Sequence, residues 1–263
     1  MDKLQKRRLG DSGLEVSPLG LGTVKFGRNE SVKYPDAFEI PNEAALADLL
    51  ALAKDCGINL LDTAPAYGQS EERLGRLLAE QRGEWVIAGK AGEDFVNGKS
   101  VFDFSPRAIE ASLMRSLKRL NTDYLDIFLI HSDGNDLEIL SDELITAMRG
   151  LKTRGLVRAI GASTKTPAGG LRALETMDIA MITYNQDYRD EEAVLDYAAA
   201  HDRGTLIKKA LSSGHAANPE DAIRFSLSHQ GAGSLIVGTI NPAHLRDNVT
   251  AVLSQENSGR VSV

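Results

Sequence analysis

Eight short apolar runs recur along the chain, each bounded by Gly, Asn, Ser or Pro and separated from the next by a stretch with helical periodicity. No other feature constrains the fold as tightly. Short runs without polar alternation read as parallel strands buried on both faces, and parallel neighbours need a helix-length crossover between them. The predicted strands are Leu19 to Thr23, Asn59 to Thr63, Trp85 to Lys90, Leu125 to His131, Val157 to Ser163, Ala180 to Tyr184, Thr205 to Lys209 and Leu235 to Gly238. Between them, Leu46, Leu49, Leu50 and Ala53 mark one helical face, and Ile109, Leu113, Leu117 and Leu120 mark another. Ser105-Pro106, Asn218-Pro219 and Asn241-Pro242 each set a capping side chain before a first-turn proline and predict three helix starts. Repeated β–α units of this kind predict an α/β fold, a (β/α)8 TIM barrel, and a length of 263 residues suits one such domain over 1–263. Ahead of the first strand, RRLGDSGLEV carries Asp11-Ser12-Gly13 between two short arms, which predicts a β-hairpin closing the bottom of the barrel.

Such a barrel opens the carboxyl ends of all its strands onto one face. Asp62 lies at the end of the second run with Tyr67 just beyond it, Lys90 ends the third and His131 the fourth. An acid, a base and a cation converging there suit proton and hydride chemistry on a carbonyl. A carbonyl oxygen that gains hydride at its carbon must be protonated and its charge stabilised. Tyr67 can donate the proton, and a cation at Lys90 is expected to pull the phenol below its free pKa of about 10 by about 1–3 units. Asp62 can hold that ammonium, and His131 can hydrogen-bond the substrate oxygen. Plainer roles exist for each: a structural ion pair for Asp62 and Lys90, a loop anchor for Tyr67, a satisfied strand-end histidine for His131. A lysine on a barrel strand can also serve as a Schiff-base nucleophile, although Asp62 would keep Lys90 charged and disfavour attack.

The net charge of −7 is spread without a basic cluster, which argues against a nucleic-acid footprint. No run approaches the roughly 18 apolar residues of a membrane span, so a cytoplasmic protein with small-molecule partners is expected. Cys56, the only cysteine, lies in an apolar helical pattern and reads as a core thiol. His201, His215 and His229 show no metal-ligand spacing, and no metal is implied.

The segments DTAPAYGQSE, VIAGK and YLDIFLIH are similar to the Asp–Tyr, lysine and histidine segments of the aldo-keto reductases. The resemblance continues through GLVRAIGAS, ITYN and IVGTINPAHLRDN and covers nearly the whole chain. It implies a barrel that binds a nicotinamide cofactor in an extended pose, usually NADPH with NADH as the alternative, and reduces a small carbonyl substrate. Tyr67 would be the acid, Lys90 and Asp62 its tuners, and His131 the group that orients the carbonyl. The same resemblance implies cofactor contacts at Thr23, Asp62, Ser163, Leu211, Ser213, Gly214, Gly238, Thr239 and Asn248, whereas Lys208 is a departure that either meets the cofactor's phosphates or snorkels to solvent. The chain departs from the family at Met181, where a glutamine is frequent, and at Lys208, where an aromatic stacks on nicotinamide. Gly238 and His244 stand where many relatives carry a lysine and an arginine for the 2′-phosphate. Because some relatives are channel-associated subunits, a nicotinamide-binding regulatory protein is the second reading. The tail SQENSGRVSV is short and polar, so an open pocket is expected, shaped by Phe26, Tyr34, Phe38, Phe95, Phe102 and Phe104.

Overall fold

The eight apolar runs become eight parallel strands that close on one another in the order β10-β11-β12-β3-β4-β5-β8-β9, in a computed structural model that describes residues 2–260, with side chains to 255. In chain order the elements are β1 (Arg7–Arg8), β2 (Glu15–Val16), β3 (Leu19–Gly22), α1 (Val24–Gly27), α2 (Glu43–Asp55), β4 (Leu60–Asp62), α3 (Ser70–Leu77) and β5 (Val86–Ala91). Next come β6 (Glu93–Val96), β7 (Lys99–Phe102), α4 (Pro106–Leu120), β8 (Leu125–His131), α5 (Asp136–Ile139), α6 (Asp142–Thr153), β9 (Val157–Ser163) and α7 (Pro167–Thr176). The chain finishes with β10 (Ile179–Thr183), α8 (Glu192–His201), β11 (Gly204–Lys208), α9 (Pro219–Ser228), β12 (Ser234–Val237) and α10 (Pro242–Arg260). This is the expected (β/α)8 barrel. Two strands match their predicted bounds, and the others shift by about one residue, because a strand's last ladder bond and its apolar pattern need not end together. The three Pro-led helices start where predicted, Ser105 and Asn218 each accepting a hydrogen bond from a first-turn backbone N–H.

Strand alternation sorts the residues of each run between interior and helix layer. Leu60, Val86, Ala88, Ile127, Leu129, Ala159, Ile179, Met181 and Leu206 form the interior cluster. Leu61, Ile87, Phe128, Ile130 and Ile160 pack outward against the helices. Extending the inward rows by one more step of two reaches Asp62, Lys90, His131 and Lys208, and two steps beyond Ala159 reach Ser163. The polar residues of interest are therefore the top layer of the barrel's own interior.

The β1–β2 hairpin supplies Leu9, Leu14 and Val16 to the same interior cluster, which closes the bottom as expected. Asn59 ties the plug in place: its Oδ1 accepts from Ser17 N–H at 2.7 Å and its Nδ2 donates to Glu15 C=O at 2.9 Å. Asn59→Ala leaves a buried N–H without a partner and should cost about 1–3 kcal/mol. In urea unfolding it should lower the midpoint with little change of slope.

Two features were not expected. Directly beyond β3 the chain forms the short helix α1, and Phe26, expected to shape the pocket, turns into the core instead. An antiparallel hairpin, β6–β7, rises directly from the end of β5. Residues 261–263 of the SQENSGRVSV tail, on which the open pocket was argued, lie outside the described residues. Among the described residues, no helix is long and apolar enough to cross a membrane.

Candidate active site

Above the interior layer sits a cavity of about 580 Å³, lined by Asp62, Tyr67, Lys90, His131, Ser163 and Lys208, and reaching Gly238 and Asn248 at its far end. In the parallel register Asp62 stands opposite Ala88, and Lys90 is one inward step further on the same strand. Lys90 stands opposite Leu129, and His131 again one inward step further. The ladder thus brings the aspartate, lysine and histidine onto a rising spiral around the rim.

Tyr67 needs a different device because it lies beyond its strand. After β4 the chain makes a single 3-10 turn, Pro65–Tyr67, with the proline in its first turn. It leaves through Gly68 at φ 61°, where an added Cβ would meet the Gly27 carbonyl oxygen at 2.1 Å. Only glycine fits there. A buried chain of hydroxyls holds the turn: Ser70 Oγ donates to Thr23 Oγ1 at 2.7 Å, and Thr23 Oγ1 donates to Asp62 C=O at 2.9 Å. Thr23 does not line the cavity, and its hydroxyl is engaged in this frame. The residue is wholly buried, and in this structure its hydroxyl serves the frame of the turn.

Lys90 is almost wholly buried, and each of its three N–H donors has an acceptor: Asp62 Oδ1, Thr63 C=O at 3.1 Å and Tyr67 Oη at 3.1 Å. Tyr67 Oη in turn lies 3.4 Å from Asp62 Oδ2. The electrostatic expectation for Tyr67 needs correcting. Burial, reinforced by Asp62, Tyr34 and Glu93, holds the phenol well above its ordinary value, so Lys90 does not pull it down in the resting site. The phenol stays loaded with its proton at neutral pH. The lysine, with every donor engaged by an oxygen, is a poor Schiff-base nucleophile.

His131 faces Glu93, a residue sequence reasoning missed: Nδ1 lies 2.9 Å from Glu93 Oε2, off the line a ring N–H bond would take. The signal was the acid three residues past Lys90, just beyond Gly92, which at φ 103° turns the chain into β6. Burial pushes the imidazole below its usual range, opposed by Glu93 and assisted by Lys90 and Lys208. Burial alone would raise Glu93, but His131, Ser100 and Arg28 outweigh it and hold that carboxyl at about 2.

Of the other candidate cofactor contacts, Ser163, Lys208, Leu211, Ser213, Gly214, Gly238, Thr239 and Asn248 all line the cavity. Lys208 does not snorkel out to solvent. Its Nζ donates to Ser163 Oγ at 2.9 Å and to Thr164 C=O, and burial, with Lys209 and Lys90, lowers the amine to about 7 against the pull of Glu191 and Asp136. Of the six aromatics named as pocket formers, Tyr34 alone is in the lining. Arg28 covers Phe95, and Phe102 stacks on Phe104 away from the cavity.

The remaining lining suits an extended, anionic nucleotide. Lys209, Ser212, Ser213 and Gly214 all adopt positive φ, so the loop after β11 curls around the cavity. His244, Asp247 and Asn248 show one face of α10's first turns, where a helix amino terminus favours negative charge. Gly22 and Gly238 keep the wall flat, and a Cβ on Gly238 would come within 2.6 Å of Tyr34 Oη.

A family model for the aldo/keto reductase family matches residues 18–221. The chain is 34% identical over 214 residues to the aldo-keto reductase YhdN of Bacillus subtilis, a match covering 78% of this chain and 62% of that protein. It is 28% identical to the L-galactose dehydrogenase of Arabidopsis thaliana, over 98% of this chain and 91% of that one. Among solved structures, PA4992 of Pseudomonas aeruginosa, a proposed aldo-keto reductase, superposes with a TM-score of 0.89 at 52% identity, covering 97% of each chain.

Proposed function

The chain belongs to the aldo-keto reductase family, and on that premise we propose that it is an NADPH-dependent oxidoreductase that reduces a small aldehyde or ketone to an alcohol, with Tyr67 as the proton donor. The observation that carries this reading is the contact of Lys90 Nζ with both Asp62 Oδ1 and Tyr67 Oη in the lining of one cavity. The bound cofactor would supply the hydride. The chain's own groups would do the rest. Tyr67 Oη and the His131 ring, whose centroids lie 6.3 Å apart and nearly perpendicular, bracket the place for a substrate oxygen. As that oxygen gains negative charge, the phenol gives up its proton, and Lys90, 3.1 Å from Oη, stabilises the phenolate left behind. Asp62 keeps the ammonium charged and aimed. NADPH is preferred to NADH here on the family's habit, supported by a rim where Lys33, Lys165 and Lys209 oppose one another's charge and favour an added anion.

The deciding experiment is a fluorescence titration with NADPH and then NADH, followed by a panel of small aldehydes while the nicotinamide absorbance is read. Tighter binding of NADPH with aldehyde-dependent oxidation is the expected result. Binding without oxidation would favour the regulatory reading, and binding of neither nucleotide would overturn the assignment.

A further inference from the structure

We propose that Glu93 is a positioning residue for His131: it keeps a proton on Nδ1 in every charge state of the ring, so that Nε2 can donate to a carbonyl oxygen only when the imidazole is charged. The inference rests on the reductase reading above, and deepens it by naming the form of the site that takes a carbonyl.

A carboxylate oxygen 2.9 Å from Nδ1, although off the line of a ring N–H bond, favours positive charge at that nitrogen over the more distant Nε2, so the proton belongs on Nδ1. Glu93 is itself fixed. Its Oε1 accepts from Ser100 Oγ at 2.6 Å across the β6–β7 hairpin, and the positive charge of Arg28 favours its ionised form. The charged groups around the imidazole are therefore Glu93 from β6, Lys90 from β5 and Lys208 from β11, with the Tyr67 ring edge-on to it. Nε2 is the nitrogen left for the cavity.

A carbonyl oxygen only accepts hydrogen bonds, whereas an alcohol oxygen can also donate one. Tyr67 is a donor at any ordinary pH. With a neutral ring, His131 Nε2 is an acceptor, and the pair matches the alcohol. With a charged ring, both partners are donors, and the pair matches the carbonyl. The hairpin thus couples the choice between carbonyl and alcohol to the protonation of one histidine. Glu93 works against burial and two lysines in favour of the carbonyl-binding form.

The test combines nitrogen-15 NMR of the histidine rings in the free protein with pH profiles of carbonyl reduction. In the wild type the neutral His131 ring, assigned by its loss in His131→Gln, should carry its proton on Nδ1, and kcat/KM should fall about tenfold per pH unit above the ring's pKa. Glu93→Gln retains an acceptor for Nδ1–H but removes the charge, so the falling limb should move at least one unit toward acid, a loss of about tenfold on that limb. Glu93→Leu removes the acceptor as well, freeing the proton to move to Nε2. Its limb should flatten, and at alkaline pH it should outperform Glu93→Gln, a reversal that loss of fold would not produce. Glu93→Asp should restore much of the wild-type profile. An Nε2-protonated neutral ring in the wild type, or an unshifted limb in Glu93→Gln, would overturn the proposal. Absence of carbonyl reduction at every pH would instead remove the reductase reading, while the NMR result would still decide the tautomer.

Discussion

Tyr67→Phe should lower turnover by about 10²- to 10⁴-fold, the range expected for removing a positioned proton donor, while NADPH affinity stays within about twofold of wild type. The ring is held by its 3-10 turn and the Gly68 exit, neither of which uses the hydroxyl, so phenylalanine should occupy the same place. Three interactions involve the oxygen: acceptance from Lys90 at 3.1 Å, donation toward Asp62 at 3.4 Å and, in the reaction, donation to substrate. Losing the first leaves one lysine N–H without that acceptor, but Asp62 Oδ1 and Thr63 C=O still hold the ammonium. Stability should therefore fall by no more than about 1–3 kcal/mol. Turnover within tenfold of wild type would show that another group, His131 being the nearest, delivers the proton. Stopped-flow mixing of the preformed NADPH complex with aldehyde separates this from a slower product release.

Much of this site was legible because a barrel strand has only two faces. Once Leu60, Val86, Ala88, Ile127 and Leu129 are assigned inward, Asp62, Lys90 and His131 follow by the period of two, with no further information needed. Tyr67 was legible from its place after the strand, though the glycine that turns the chain out at φ 61° explains it better than spacing alone. What the chain alone did not reveal depends on contacts made at long range. Glu93 meets His131 only because a hairpin leaves β5 at Gly92 and returns at the rim. Phe26 looked like a pocket residue by its place beyond β3, but α1 folds it into the core, and Thr23, a cofactor contact by resemblance, has its hydroxyl engaged in the chain with Ser70. The sign of the Tyr67 shift was misjudged for a related reason. A lysine beside a phenol lowers its pKa in isolation, but this phenol is buried and shares that lysine with a carboxylate. Desolvation and Asp62 together outweigh one cation.

The same sharing makes Lys90→Met disruptive to stability and turnover together. Methionine nearly matches the stem but supplies no N–H, so Asp62, 4% exposed, would keep its carboxylate in a buried site with its principal cation gone. Breaking a buried pair from one side costs about 3–5 kcal/mol, and the midpoint of urea unfolding should fall accordingly. Turnover should be lost as well, because the phenolate that forms when Tyr67 gives up its proton would have no cation beside it. Reduced activity alone would not separate these effects, since a destabilised protein is also less active. The double variant Lys90→Met/Asp62→Leu does separate them. With both partners apolar, no uncompensated charge remains, and replacing a buried pair by packed apolar groups is often neutral or stabilising. Stability should then recover by at least half of the single variant's loss, while turnover remains absent. Recovery of turnover along with stability would mean that the pair holds the fold together and contributes nothing to proton transfer, which would remove the central electrostatic element of the proposed mechanism.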